Sequence, residues 1–187
     1  MPSQAEKNNG QPNPRGYLML LQGDERATSD AALGIALRGA GHNLRVHIIE
    51  FQKTGRDRGE VVATSFLTGV SIAQYGTIEP NQSVDDMPGP GISPERAEEA
   101  LKEADLHVSR RVTNILVLEG ALSLVDEGVI EESRIMELVN KGAPSLDIVA
   151  TGSKASKGLK DACDSLTTME TVKSEASTAE LRPGIHY

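Results

Sequence analysis

The hydrophobic residues of this chain form short apolar runs that alternate with longer segments in which apolar residues recur at helical spacing. This alternation predicts βαβ units and a mostly parallel sheet. The predicted fold class is therefore α/β, in three layers, with helices on both faces of a central sheet. The predicted strands are 17–22, 44–51, 70–75, 114–119, 146–151 and, from a weaker pattern, 169–173, and the predicted helices are 29–40, 57–67, 94–111, 130–141 and 154–164.

Two polar segments stand apart from this pattern. Residues 1–16 are rich in Asn, Pro and Gly and have no periodicity, which predicts a disordered tail before a single domain at 17–187. The tail lacks the apolar region of a signal peptide, and no segment approaches the roughly 18 consecutive apolar residues of a membrane span. Residues 77–91 are punctuated by Pro and Gly and are long enough for a binding or lid loop.

The composition argues against several classes of function. The single cysteine, Cys163, excludes an intrachain disulfide, suits a reducing cytoplasm and is expected to be a small buried hydrophobe. With 27 acidic against 19 basic residues, the net charge is −8, and a nucleic-acid partner is not expected. The histidines His42, His47, His107 and His186 are scattered, and we expect no metal site among them.

The loop at 23–30 lies where a phosphate-binding P-loop would lie, between the first strand and the first helix. A P-loop cradles phosphates with the backbone N–H groups of small residues, while a Lys and a Ser/Thr handle the charge and the magnesium. This loop has no lysine and carries Asp24, Glu25 and Asp30. Three interpretations stay open: an altered anion or nucleotide site, the cap and first turn of the next helix, or acids that themselves occupy the anion site.

Ligands of open α/β sheets bind at the carboxyl ends of the strands, so polar residues at those ends are candidates. Glu119 ends a buried strand and is expected either to hold magnesium or to pair with Arg26, Lys53 or Lys154. The last predicted helix begins with a lysine triplet that either attracts an anion together with the helix dipole or forms a solvated face. The triplet consists of Lys154, Lys157 and Lys160.

Taken in order, several segments resemble the ATP:corrinoid adenosyltransferases of the P-loop type. That family begins with a strand, a P-loop and a helix of the kind TTAALG, followed by the motifs GHGKKVxxxQFxKG, VVLDE and ITGRxxxxxLxxxAD. The resemblance covers roughly residues 17–187. The similar segments are SDAALG at 29–34, GHNLRV at 41–46, FQK at 51–53, LVLEG at 116–120, GVI at 128–130, ATGSK at 150–154, VK at 172–173 and GIHY at 184–187.

The resemblance implies a P-loop NTPase-like (RecA-like) fold, a homodimer, and ATP with magnesium and a corrinoid as ligands. The sequence departs from the family where this chemistry would occur. By position, Thr28 replaces the P-loop lysine, Ser29 keeps the magnesium-binding hydroxyl, and Glu119-Gly120 replaces the Asp-Glu pair of the Walker B strand. The family places aromatic residues after the third strand to hold the corrinoid, whereas residues 76–80 contain none.

The sequence therefore predicts a cytoplasmic adenosyltransferase-like protein with a degenerate nucleotide site, inefficient as an enzyme, that has a binding or regulatory role. Two alternatives stay open: an active ATP-dependent corrinoid adenosyltransferase of cobalamin biosynthesis or salvage, and a structural module that binds a protein partner. No catalytic residue is assigned. The candidate nucleotide or anion ligands are Gly23, Arg26, Thr28, Ser29, Lys53, Thr151, Gly152 and Lys154, and the candidate metal ligand is Glu119.

Overall fold

The computed structural model describes residues 15–55, 58–77, 91–173, 182 and 184–185. Residues 1–14 of the predicted tail and most of the predicted loop at 77–91 lie outside this part of the chain. The strands are β1 (Leu18–Gly23), β2 (Val46–Glu50), β3 (Val70–Gln74), β4 (Ile115–Glu119), β5 (Asp147–Gly152) and β6 (Ser165–Met169). The helices are α1 (Glu25–Gly41), α2 (Gly59–Thr64), α3 (Pro94–Arg110), α4 (Ala121–Asp126), α5 (Glu132–Lys141) and α6 (Lys157–Ala162).

The six strands form one sheet in the order β3-β2-β4-β5-β1-β6, and every pairing is parallel. Every residue of β2 and of β4 is buried, as expected for strands covered on both faces. One apolar cluster lies between the sheet and α1, and a larger one lies between the other face and α3, α4, α5 and α6. The predicted α/β class with a parallel sheet is confirmed, and the architecture is consistent with a P-loop NTPase-like fold.

Three elements differ from the prediction. The first helix begins at Glu25 rather than at residue 29, because the Asp24 side chain accepts a hydrogen bond from the Ala27 amide and caps an additional turn. The sixth strand is β6, which ends where the predicted strand 169–173 begins. Its partner β1 selects the segment, since the pairing register runs from Met19 opposite Ser165 to Gly23 opposite Met169. Helix α4, which begins directly after Gly120, was not predicted.

Among the described residues, no helix is both long enough and apolar enough to cross a lipid bilayer. The tail at 1–16 and the single domain at 17–187 stay predictions.

Candidate functional site

A pocket of about 340 Å³ lies at the carboxyl edge of the sheet, beside the beginning of α1. This is the edge at which open α/β sheets bind their ligands. Its walls carry three carboxylates, Glu25, Glu119 and Glu127, and the ammonium group of Lys53. The described residues that line the pocket are Glu25, Thr28, Gln52, Lys53, Gly91, Glu119, Gly120, Glu127, Thr151 and Gly152.

The connection from β1 to α1 is a single residue, Asp24. The Asp24 carboxylate accepts hydrogen bonds from the Ala27 amide at 2.8 Å and from the Thr171 hydroxyl at 2.7 Å. The hydrogen bond from the Ala27 amide and, to a smaller extent, that from the Thr171 hydroxyl hold the pKa of Asp24 below its usual value. A carboxylate of the chain therefore takes up a donor that the N-terminus of α1 would otherwise offer to an external anion, as the helix-cap interpretation predicts.

Gly23 ends β1 in a conformation that requires glycine. Its φ is +117°, and a Cβ atom would lie 2.0 Å from the carbonyl oxygen of Met169 on β6. The main-chain amide of Asp24 donates to that same carbonyl at 3.0 Å. Gly23 thus fixes the end of β1 against β6, and it is not one of the described residues that line the pocket.

The centre of the site is a triad formed by Ser29, Lys53 and Glu119, of which Ser29 and Glu119 are buried. The Ser29 hydroxyl donates to Glu119 Oε1 at 2.8 Å, and Lys53 Nζ donates to Ser29 Oγ at 2.7 Å. Lys53 also forms an ion pair with Glu119 Oε1. The Glu119 side chain is 4% exposed and that of Lys53 is 36% exposed, and both residues line the pocket. The sequence named Lys53 as one of three cations that Glu119 pairs with, and Lys53 is the partner in the structure.

A second buried carboxylate, Glu50, lies beside this triad. Glu50 ends β2 directly opposite Glu119 on β4, and it is completely buried. Glu50 Oε2 accepts hydrogen bonds from Arg58 at 2.8 Å and from Gln74 at 2.7 Å. Glu50 Oε1 and Glu119 Oε2 are both buried without a hydrogen-bond partner among the described residues. Glu50 was not predicted as a site residue, although an acid that ends an apolar run is the signal that identified Glu119.

Burial, reinforced by the negative charge of Glu119, raises the pKa of Glu50. A carboxyl group with a raised pKa in the folded protein contributes stability below its unfolded pKa, and this contribution is lost as the pH rises through the folded pKa. The change Glu50→Gln removes that loss. The substitution also removes the charge that pairs with Arg58, so we expect its effect on stability to be more favourable at about pH 7.5 than at about pH 4.5 in urea unfolding.

The exposed carboxylate of Glu137 provides the control, since Glu137→Gln is expected to change stability little at either pH. A loss of stability in Glu50→Gln that is larger at pH 7.5 than at pH 4.5 contradicts this account, because the ionised carboxylate would then be stabilising.

The loops after β4 and β5 are joined through hydroxyl groups. The Gly120 amide donates to Thr151 Oγ1 at 3.1 Å. The fully buried Ser123 hydroxyl donates to Glu25 at 2.7 Å and accepts from the Ser153 amide at 2.8 Å. A Cβ atom on Gly152, whose φ is +151°, would lie 2.4 Å from the Ser123 amide nitrogen, so glycine permits this close approach.

The other predicted cationic residues lie outside the described lining of the pocket. Arg26 is exposed on the first turn of α1, and Lys154 forms an exposed ion pair with Asp126 at 3.1 Å. Neither is among the described residues that line the pocket. Of the lysine triplet, Lys157 is exposed and Lys160 is half-buried. Among the predicted nucleotide or anion ligands, the structure brings Thr28, Ser29, Lys53, Thr151 and Gly152 together with Glu119.

The expectation that the histidines are scattered is wrong for two of them. The imidazole rings of His47 and His107 stack with their centroids 3.7 Å apart, and Glu103 lies against both. Glu103 and His107 are four residues apart on α3 and so lie on one face of that helix. This spacing is visible in the sequence, whereas the approach of His47 from β2 is set by tertiary packing.

The parallel sheet, with a pocket at its carboxyl edge, defines the class as an α/β protein with an open parallel sheet. The family model described as ATP:corrinoid adenosyltransferase BtuR/CobO/CobP matches residues 14–187. The chain belongs to this family, as its motif order predicted. It is also similar to a protein of Pseudomonas aeruginosa named corrinoid adenosyltransferase, with 26% identity over 163 residues, which are 85% of this chain and 77% of that relative.

Proposed function

We propose that this protein is a corrinoid adenosyltransferase family member that does not transfer an adenosyl group at an enzymatic rate and instead has a binding or regulatory role. The observation that carries the proposal is the position of Lys53 Nζ, which contacts both Ser29 Oγ and Glu119 Oε1. In P-loop proteins, a Ser/Thr hydroxyl and a Walker B carboxylate hold the magnesium of the nucleotide. Here an ammonium group contacts both side chains.

The ammonium group and a magnesium ion compete for the same place. Magnesium requires near-octahedral oxygen ligands at about 2.0–2.1 Å. A lysine that hydrogen-bonds Ser29 and pairs with Glu119 leaves no room for such a shell and already neutralises the carboxylate. The residues present therefore do not fit a magnesium ion while Lys53 keeps these contacts.

The charges of the pocket also disfavour a triphosphate. Glu25, Glu119 and Glu127 line it together with one cation, Lys53. A pair of like charges about 4 Å apart costs about 4 kcal/mol at an effective dielectric constant near 20. Since Lys53 is engaged by Glu119, no cation among the described lining residues is left to offset the repulsion from a triphosphate.

The β1–α1 connection gives further support. A P-loop wraps phosphates with several consecutive backbone amides. Here one residue separates β1 from α1, and the Asp24 carboxylate accepts from the Ala27 amide. The segment that matches the corrinoid-holding residues of the family, 76–80, lies mostly outside the described residues and adds no support in either direction.

The active-enzyme alternative has one observation in its favour. Lys53 lines the pocket and is partly exposed, so a triphosphate that draws it away from Glu119 would gain the charge of the missing P-loop lysine. In that case Mg-ATP binds with micromolar affinity, and the affinity depends on Lys53. The homodimer, the protein partner and the cytoplasmic location expected from the sequence remain proposals.

Calorimetric titration with Mg-ATP separates the two functions. We expect heats that indicate millimolar or weaker binding, which corresponds to a binding free energy no more favourable than about −4 kcal/mol. Arg26→Ala is titrated as a further variant. Arg26 is exposed on the first turn of α1 and is not among the described residues that line the pocket. Micromolar binding to the unmodified chain that is lost in Lys53→Ala or Arg26→Ala would support the active enzyme and contradict the proposal.

A further inference from the structure

Three potential metal ligands meet between β2 and α3, away from the pocket. They are His47 on β2 and Glu103 and His107 on α3, and their ligand atoms all lie within 4.8 Å of one another. His47 Nε2 is 2.8 Å from Glu103 Oε1, and His107 Nε2 is 4.0 Å from the same oxygen. Two ligands of a tetrahedral zinc ion lie about 3.4 Å apart, so these separations are close to those of a metal centre.

Each imidazole is held by a hydroxyl group on its other nitrogen. His47 Nδ1 lies 2.7 Å from Ser71 Oγ on β3, and His107 Nδ1 lies 2.6 Å from Thr113 Oγ1. Metal-binding histidines usually donate their second ring N–H to such a partner, which fixes the tautomer and the orientation of the ring. In the metal-free chain the 2.8 Å contact places a proton on His47 Nε2, which donates to Glu103 Oε1 while Nδ1 accepts from Ser71. A bound ion takes the place of that proton, and the ring then carries its proton on Nδ1 and donates it to Ser71.

The carboxylate is also oriented by a neighbour. Tyr75 donates its hydroxyl proton to Glu103 Oε2, which leaves Oε1 directed at the imidazoles. The guanidinium carbon of Arg96 lies 5.0 Å from the centre of the Tyr75 ring and helps to fix it. The cluster thus has the outer hydrogen bonds of a metal site as well as its ligands.

The two imidazole rings stack in parallel beside Glu103. Burial lowers the pKa of both histidines, and the neighbouring His107 lowers that of His47 further. A stack of two neutral rings with planes 4° apart avoids the repulsion that two charged rings would suffer. Since the rings are parallel, one of them must turn for both lone pairs to converge, and the half-buried His107 is the freer of the two.

The cluster is separate from the pocket. Successive residues of a strand point to opposite faces, so His47 shares the α3 face with Ile49, whereas Glu50 shares the α1 face with Ile48. The side chains of Glu103 and His107 are 26% and 20% exposed, which leaves an approach from solvent. The proposal that follows is therefore independent of the function proposed for the pocket.

We propose that His47, Glu103 and His107 form a binding site for a divalent transition-metal ion that is held by two imidazoles and one carboxylate. This donor set suits zinc and its neighbours in the first transition row and does not suit magnesium, which prefers oxygen ligands. Three protein ligands leave at least one coordination position for water. A bound ion ties α3 to β2 and stabilises the folded chain.

The test is titration of the untagged full chain with Zn²⁺, with Co²⁺ as a spectroscopic probe and with Mg²⁺ as a hard-ion comparison. We expect one Zn²⁺ per chain with a dissociation constant in the micromolar range or below, visible-region absorption on Co²⁺ addition, and a higher thermal unfolding midpoint with Zn²⁺. Mg²⁺ should neither bind stoichiometrically nor raise the thermal unfolding midpoint.

Two variants remove one ligand each while keeping the residue polar and similar in size, Glu103→Gln and His107→Asn. Each is expected to weaken Zn²⁺ binding by at least about tenfold and to abolish the Co²⁺ absorption. The control is His42→Asn, because His42 is an exposed histidine at the end of α1 and should leave binding unchanged. Metal-free thermal unfolding of each variant checks that it folds.

Two outcomes overturn the proposal. Absence of stoichiometric Zn²⁺ binding to the folded chain means that the cluster is a hydrogen-bond network only. Binding that survives in folded Glu103→Gln and in folded His107→Asn means that the ion sits elsewhere on the surface.

Discussion

Replacing Lys53 by methionine is expected to lower the free energy of unfolding by about 2 kcal/mol at neutral pH without divalent ions. The substitution leaves the Glu119 carboxylate buried without its cation and beside the second carboxylate, Glu50. Removing one partner of a fully buried pair costs about 3–5 kcal/mol, and the partial exposure of Lys53 reduces this cost. Urea unfolding measures the change.

The same variant should acquire a response to magnesium. If Lys53 takes the place of the ion between Ser29 and Glu119, its removal opens that place, and millimolar Mg²⁺ should restore most of the lost stability. The control is Lys154→Met, which breaks the exposed pair with Asp126 and should cost less than about 0.5 kcal/mol. Equal losses in the two variants, or no magnesium response in Lys53→Met, would contradict the role assigned to Lys53.

Much of the fold follows from the sequence because its signals are local. Five strands are apolar runs that end in polar residues, and α3 begins with Ser93 and Pro94, a capping residue and a proline in the first turn. The prediction was wrong where tertiary pairing decides. The segment that becomes β6 is selected by its register with β1. The early start of α1 has a local cause, since the Asp24 side chain caps the helix by accepting from the Ala27 amide.

Part of the candidate site at the carboxyl edge of the sheet was also predictable from the sequence. Residues at strand ends were found because parallel strands bring their carboxyl ends to one edge, and Thr28, Lys53, Glu119, Thr151 and Gly152 do meet there. Which cation reaches Glu119 could not be predicted, since Arg26, Lys53 and Lys154 were equivalent in the sequence.

The histidine cluster could be predicted from the sequence only in part. The pair Glu103 and His107 lies one turn apart on a helix and is readable from spacing, but the third ligand, His47, is more than fifty positions away. Its approach depends on the packing of α3 against the strand that carries it. Sequence spacing therefore supplies two of the three ligands at most.

The largest effect expected concerns catalysis. An active family member in this fold would transfer the 5′-deoxyadenosyl group of ATP to a reduced corrinoid at about 10⁻¹ s⁻¹ or faster, against a typical median near 10 s⁻¹ for enzymes. We expect this chain to remain at the uncatalysed rate, because Lys53 contacts both Ser29 and Glu119 and three carboxylates line the pocket. The Pseudomonas aeruginosa relative that carries the name corrinoid adenosyltransferase provides the positive control.

The most direct measurement is therefore the rate of adenosylation of cob(I)alamin, and separately of cob(I)inamide, with ATP and Mg²⁺ in excess and both proteins at equal concentration. The account predicts product formation by the relative and none above the protein-free reaction with this chain. Turnover by this chain at about 10⁻¹ s⁻¹ or faster, abolished in Lys53→Ala, would contradict it.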